Sequence, residues 1–364
     1  MSPTAAPVPY FFHRLRLAYS GLHPERIHSL VKASDPAEVV RRIETGRVRV
    51  SPTAREAVGV PAERRMEELA SSGLSVALLG TDSYPPWLAT IPDPPDLLFV
   101  RGVLPTSPGV AVVGSRRATR YGINLAKAAG AAAARRGAVV VSGLARGIDG
   151  AAHQGVVEAG GRGVAVLGCG LDRWYPVSHR RLGEALLENG GGVVTEYPPG
   201  TVPEPWRFPV RNRIITGLSR VVLVVEAAAG GGALISARLG LEQGREVLAI
   251  PGDINRATSR GCNELIRDGA LPVLGTADLL DSLEQEGIVS PMEAGHRGSG
   301  PDDAEGGLEE AIGEAGATLE VLAERMGWPL TRLLVSIGEL ESEGRISRES
   351  GIIRLRKNDG GDGS

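Results

Sequence analysis

Several glycine-bearing segments carry the residue types that can hold an oxyanion. They are Gly114-Ser115-Arg116-Arg117, then Ser142-Gly143-Leu144-Ala145-Arg146-Gly147, then Gly168-Cys169-Gly170, then Glu226 through Gly230-Gly231-Gly232. Glycine lets backbone N–H groups approach an anion closely, and a helix opening just behind adds partial positive charge. Arg116, Arg117 and Arg146 supply formal charge in a planar fork suited to phosphate. A further segment, 206–215 (WRFPVRNRII), sets Arg207, Arg211 and Arg213 beside Trp206 and Phe208, with Asn212 between them. Arginine interleaved with aromatic rings is the composition of a single-strand path, where guanidinium groups hold phosphates and rings stack on bases. The same residues also read as a helix start with snorkelling arginines.

Motifs for covalent or metal chemistry are missing. Lys127 is followed by Ala128, so no GxxxxGK[ST] loop exists, and Gly168-Cys169-Gly170 runs into Leu171-Asp172-Arg173 without the third glycine of a dinucleotide fingerprint. There is no HExxH, GxSxG or CxxC. No cofactor and no metal are expected. Asp149 reads as a helix N-cap and His153 as a hydrogen-bonding partner of the second glycine loop. Glu196 and Glu226 end apolar runs, where a carboxylate either braces a loop or meets a sugar hydroxyl. Cys169 and Cys262 read as small packing residues; two cysteines make no disulfide framework.

These loops need a scaffold, and the hydrophobic pattern supplies one. From residue 109, short Val-rich runs (110–113, 138–141, 163–167, 192–195, 221–225 and 247–250) alternate with amphipathic stretches. Nearly continuous apolar runs of this length are strands buried on both faces. Strands alternating with helices predict a parallel, doubly wound α/β sheet of extended Rossmann-like form, with ligands bound beyond the strand carboxyl ends. That is where the glycine loops fall. The predicted organisation is a helical domain over 1–75, the sheet domain over 76–286 with a Pro-rich lead-in whose residues 84–102 read as a connector, and a linker over 287–306. Three helices and a hairpin over 307–357 then suggest a winged helix, followed by a disordered tail over 358–364.

Net charge is −3 for 364 residues, which by itself selects no partner. Its distribution is uneven: residues 103–275 hold 20 basic and 13 acidic side chains, whereas 276–364 hold 8 and 19. A basic middle suits a polyanion. No apolar run approaches the ~18 residues of a membrane span, no secretion signal is evident, and a cytoplasmic protein is expected.

The sequence resembles the DprA (Smf) family. The resemblance is carried by VAVVGSRRAT (110–119), SGLARGIDGAAH (142–153), AVLGCGLDRWYP (165–176), TEYPPG (195–200), FPVRNRIITGLS (208–219), VVEA (224–227), GGALISARLGLEQGREVLAIPG (231–252) and SRGCNELIRDGA (259–270), and it is continuous over about 84–274. It implies a DNA-binding protein and not an enzyme: a homodimer that binds single-stranded DNA, protects incoming strands and loads RecA recombinase onto them during transformation or recombination. It also implies an N-terminal SAM-like or helix-hairpin-helix domain. The implied DNA contacts are Gly114, Ser115, Arg116, Arg117, Ser142, Gly143, Arg146, Gly147, Arg211, Asn212, Arg213, Gly231 and Gly232, with Arg116 in the place of the family's GSR arginine. The chain departs from the family where Lys-Ser-Gly-Ser is common: Ala229-Gly230-Gly231-Gly232 lacks that basic and hydroxyl contact. The C-terminal helix 330–343 holds Arg332 against Glu339, Glu341 and Glu343. Phosphate contacts dominate DNA affinity, so a protein-contact role is expected of that unit ahead of DNA reading. The competing function is a Rossmann-like nucleotide hydrolase, whose PGGxGTxxE pattern the VVEAAAGGGALISA segment lacks.

Overall fold

The computed structural model describes residues 10–290 and, beyond them, 308, 311–313, 316–326, 330–342, 344–349 and 352–355. They fall into two compact units divided after Ser290. The first opens with five helices: α1 (Phe11–Ala18), α2 (Pro24–Ala33), α3 (Pro36–Glu44), α4 (Pro52–Gly59) and α5 (Ala62–Ser71). Proline opens three of them, where its missing N–H costs no hydrogen bond. The Asp35 carboxylate accepts the Ala37 N–H at 2.7 Å and the Ser51 hydroxyl accepts that of Ala54 at 3.1 Å, fixing the starts of α3 and α4.

The chain then builds a nine-stranded sheet. Its elements are β1 (Ser75–Leu78), β2 (Leu97–Gly102), β3 (Gly109–Val113), α6 (Arg120–Arg135), β4 (Val140–Ser142), α7 (Ile148–Glu158), β5 (Gly163–Val166), α8 (Arg180–Glu188) and β6 (Gly192–Thr195). The second half adds α9 (Arg207–Gly217), β7 (Ser219–Val224), α10 (Gly232–Glu242), β8 (Glu246–Ala249), α11 (Arg260–Arg267), β9 (Leu271–Pro272) and α12 (Thr276–Gln285). The order across the sheet is β1-β2-β6-β5-β4-β3-β7-β8-β9. Strands from β6 to β9 pair in parallel, while β1 and β2 join antiparallel.

Successive residues of a strand face opposite sides. Val110 and Val112 therefore enter a core shared with α6, α7, α8 and α12, and Ala111 and Val113 enter one shared with α9, α10 and α11. Helices thus cover both faces, as the unbroken apolar runs require. From β3 the chain works outward through β4, β5 and β6, then returns to lay β7, β8 and β9 on the other flank. The crevice between the carboxyl ends of β3 and β7 is the topological switch point.

Two expectations need correction. Residues 84–102 read as a connector, but Leu97–Gly102 is a strand of the sheet, with Phe99 opposite Thr195. The N-terminal helices also do not stand apart from the sheet: Leu15, Ala62 and Leu69 share a core with Phe99 and Val110, and Arg14 pairs with Asp96 at 3.2 Å.

In the second unit, helices Leu319–Met326 and Leu330–Ser342 are followed by antiparallel strands Ile346–Glu349 and Ile352–Leu355, and a short strand Ala317–Thr318 completes a three-stranded sheet. Leu322, Leu333, Ile337, Leu340 and Ile353 form its core. Most of the expected linker and all of the expected tail lie outside the described residues.

Candidate nucleic-acid interface

A pocket of about 450 Å³ occupies the switch point. Gly114, Ser115, Arg116 and Arg117 form one lip, after β3, and Ala227, Ala228, Gly231 and Gly232 form the other, between β7 and α10. The third wall comes from α9 and the residue group before it: Pro205, Phe208, Arg211, Asn212 and Ile215.

The lips are tied together. Ser115 N–H donates to the Glu226 carbonyl at 2.8 Å, and the Glu226 carboxylate accepts the backbone N–H of Thr119 at 3.1 Å and also its hydroxyl. Thr119 in turn caps α6, its Oγ1 accepting the Gly122 N–H at 3.2 Å. Of the two readings of Glu226, loop bracing is the one its contacts express. Glu196 is likewise engaged, by an arginine discussed below.

Arg116 is exposed at the pocket mouth. Its guanidinium carbon lies 4.6 Å from the centroid of the Phe208 ring. Behind it, Phe208 stacks on Tyr175 at 5.2 Å and 27°. A guanidinium resting on a ring is held in place without consuming its N–H donors, so the fork remains available to a ligand. Among the described residues Arg116 and Arg117 make no ion pair.

The second glycine loop lies beside the pocket and supports it. Ser142 is buried, its hydroxyl donating to the Val112 carbonyl at 2.6 Å, and Gly143 N–H donates to Asp149 Oδ2 at 3.1 Å. Asp149 thus closes the loop from within α7, rather than capping the helix it belongs to; Gly147 is that N-cap. Burial pushes the Asp149 carboxyl up, against the pull of the neighbouring Arg211. Gly147 has φ +81° and ψ −129°, a conformation open only to glycine. A Cβ there would collide with the Ser115 carbonyl, and Ile148 N–H donates to that same carbonyl at 3.2 Å. Leu144 is held at φ +55° with its side chain fully buried. The expected role of His153 belongs to another histidine: His179 Nδ1 hydrogen-bonds to the Leu144 carbonyl at 2.9 Å. His153 is buried, and burial pushes its pKa down to about 4.

Placement of the expected contact residues is therefore uneven. The pocket gathers Gly114, Ser115, Arg116, Arg117, Arg211, Asn212, Gly231 and Gly232. Ser142, Gly143 and Gly147 shape the adjoining loop, and Arg146 is exposed on it. Arg211 lines the pocket but is only 2% exposed, its Nη1 donating to the carbonyls of Gly143 (3.0 Å) and Val166. Burial lowers its pKa to about 10. It is a cation beneath the floor, not a free fork.

Arg213 departs further from expectation. Its Nε donates to Asp93 at 2.9 Å, and Nη1 and Nη2 donate to the two oxygens of Glu196 at 2.8 Å each. Its donors being committed to carboxylates, Arg213 does not line the pocket and fastens α9 to the lead-in and to the residue after β6. Trp206 stacks on His23 of the N-terminal helices at 5.0 Å and 29°, and its indole N–H donates to Glu204 at 2.6 Å. Sequence reasoning overlooked Asp149 as a loop clasp and His179 altogether. It noted Phe208 only through its company of arginines.

A family profile, DNA recombination-mediator protein A, matches residues 75–284. The chain belongs to that family. Protein Smf of Escherichia coli is 41% identical over 290 residues, covering 77% of this chain and 78% of that protein. DNA processing protein DprA of Streptococcus pneumoniae is 43% identical over 205 residues, covering 56% and 72%. The X-ray structure of the Streptococcus pneumoniae protein aligns with TM-score 0.62 at 34% identity, over 76% of this chain and 98% of that one. A structure of DNA processing protein A from Helicobacter pylori, described by its single-stranded DNA binding mode, aligns with TM-score 0.52 at 27% identity, over 58% and 96%. Among the described residues no helix is long and apolar enough to cross a membrane.

Proposed function

We propose that this chain binds single-stranded DNA as a recombination mediator, with the β3–β7 pocket as the grip on the strand. The observation that carries this reading is Arg116: a guanidinium with no ion pair among the described residues, seated on Phe208 at the mouth of a glycine-lipped pocket at a sheet switch point. The opening of α10 at the second lip favours a phosphate there. The Helicobacter pylori relative, whose description names single-stranded DNA, supports the same assignment.

The reading extends to placing RecA recombinase on the bound strand, to a homodimer through the sheet domain, and to an N-terminal SAM-like domain and a C-terminal winged helix. The family's description as a recombination mediator supports the first of these. The helix pair followed by an antiparallel hairpin supports the last. The chemistry is binding alone. Asp149, which lines the pocket, and Glu226, which precedes its second lip, are both committed to backbone N–H groups, which argues against the hydrolase alternative.

Gel shifts on a short single strand and the matching duplex, across salt, test the grip. Each phosphate contact contributes roughly 0.7 to the log–log salt slope on a single strand. Single-strand preference with a slope of several units, reduced in Arg116→Ala, is expected. Equal affinity for both forms, unaffected by Arg116→Ala, would overturn the assignment.

A further inference from the structure

The two sides of the pocket differ in charge. On the β7–β8 side the lip is Ala227-Ala228-Ala229-Gly230-Gly231-Gly232, without a cation. The arginines of the next loop are engaged, Arg256 with Asp253 at 3.7 Å and Arg260 with Glu264 at 3.0 Å.

The β4–β5 side is the reverse. Gly147 abuts the backbone of Ser115 and Arg116, which sets the exposed Arg146 directly beside the first lip. The His179 ring lies against Gly150 and bonds to Leu144, so the first turn of α8, with Arg180 and Arg181, is seated on the same loop. Between them runs segment 175–179, whose Tyr175 stacks on Phe208 with one side open, 43% exposed. Among the described residues Arg117, Arg146 and Arg181 make no ion pair; Arg180 is held by Glu184 at 2.7 Å. Nearby acids are occupied: Asp149 is buried under the loop, and Asp172 accepts the Gly200 N–H at 2.8 Å.

Building on the reading of the pocket as a single-strand site, we propose that the flank of the bound strand leaves over the β4–β5 side. There its phosphates meet Arg117, Arg146 and Arg181, and one base stacks on the open face of Tyr175. The neutral β7–β8 lip holds none of it. The basic contact missing from the Ala-Gly lip is thereby supplied on the opposite side of the same pocket.

The test uses the full chain and fluorescent oligothymidines of about 4, 10 and 20 nucleotides, spanning the site sizes of single-strand binders. The variants are Arg146→Gln/Arg181→Gln, Tyr175→Leu and Tyr175→Phe, all at exposed positions. Wild type should bind more tightly with length. The double variant should weaken the longest strand most, flatten the gain with length, and lower the salt slope on the longest by about 1.4. Tyr175→Leu should weaken only the longer strands, and Tyr175→Phe should restore them. An unchanged length dependence and slope in the double variant would overturn the path. So would an equal loss at every length, or two short strands bound per protomer. Arg116→Ala separates the two readings: if it leaves the shortest strand bound, the pocket assignment itself fails, whatever the flank does.

Discussion

The Arg116 guanidinium lies 4.6 Å from the centre of the Phe208 ring, so the only glycine-loop arginine with a described side-chain anchor is anchored by a residue 92 positions downstream. Such a contact at a partly exposed site contributes about 0.5–1 kcal/mol. A double-mutant cycle of Arg116→Ala and Phe208→Ala on unfolding free energy should show a coupling of that size. Losses that simply add would mean that the ring does not anchor the guanidinium.

Gly147→Ala should cost about 1–3 kcal/mol of stability, because its backbone conformation excludes a side chain and its Cβ would strike the Ser115 carbonyl. Relief requires moving the Gly114–Arg117 lip. Chemical denaturation should register the loss, and DNA affinity should fall with it; a variant of wild-type stability and affinity would contradict the close approach.

Arg213→Met should be a stability mutant and not a binding mutant. It leaves Glu196, 5% exposed at its side chain, facing Asp93 without the cation between them. Removing one partner of a buried pair costs about 3–5 kcal/mol. The denaturation midpoint should drop while the DNA salt slope of the folded fraction stays unchanged. A slope lowered by about 0.7 would return Arg213 to the phosphate site.

Acid should destabilise the fold through His153. Its pKa is about 4 when folded against 6.5 for the free group. A depressed pKa means that the unfolded chain binds the proton first; the contribution is present above pH 6.5 and is lost as pH falls through 4. The full difference corresponds to about 3 kcal/mol. Buried Asp149, with its raised pKa, acts in the opposite sense, so the comparison to make is wild type against His153→Leu. Urea melts at pH 7, 5.5 and 4 should show a shallower decline in the variant; parallel declines would place the acid sensitivity elsewhere.

The sheet was legible because its strands are buried on both faces and leave unbroken valine runs in the chain. Strand β2 was obscured by the prolines before it: LLFVRG reads as the end of a connector until it is known to pair with β6. The pocket lips were legible from glycine and arginine at the strand ends. The fates of Arg211 and Arg213 were not. Two residues apart on one helix, they face different surroundings, and what decides their roles, Asp93, Glu196 and the carbonyls of Gly143 and Val166, lies 17 to 120 residues away. Composition identified the helix as basic and aromatic; only the tertiary contacts separate the cation that lines a pocket from the one that fastens the helix.

Glu226 has a kinetic consequence. By joining the β3 and β7 lips through both its backbone and its carboxylate, it ties the bases of the two lips to each other. Association should therefore be limited by encounter and not by a gating step, with observed rates rising linearly with strand concentration and falling as salt screens the arginines. Glu226→Gln, which keeps the acceptor but drops the charge, should preserve that linearity, while Glu226→Ala should introduce a plateau as loop closure becomes a separate, slower event.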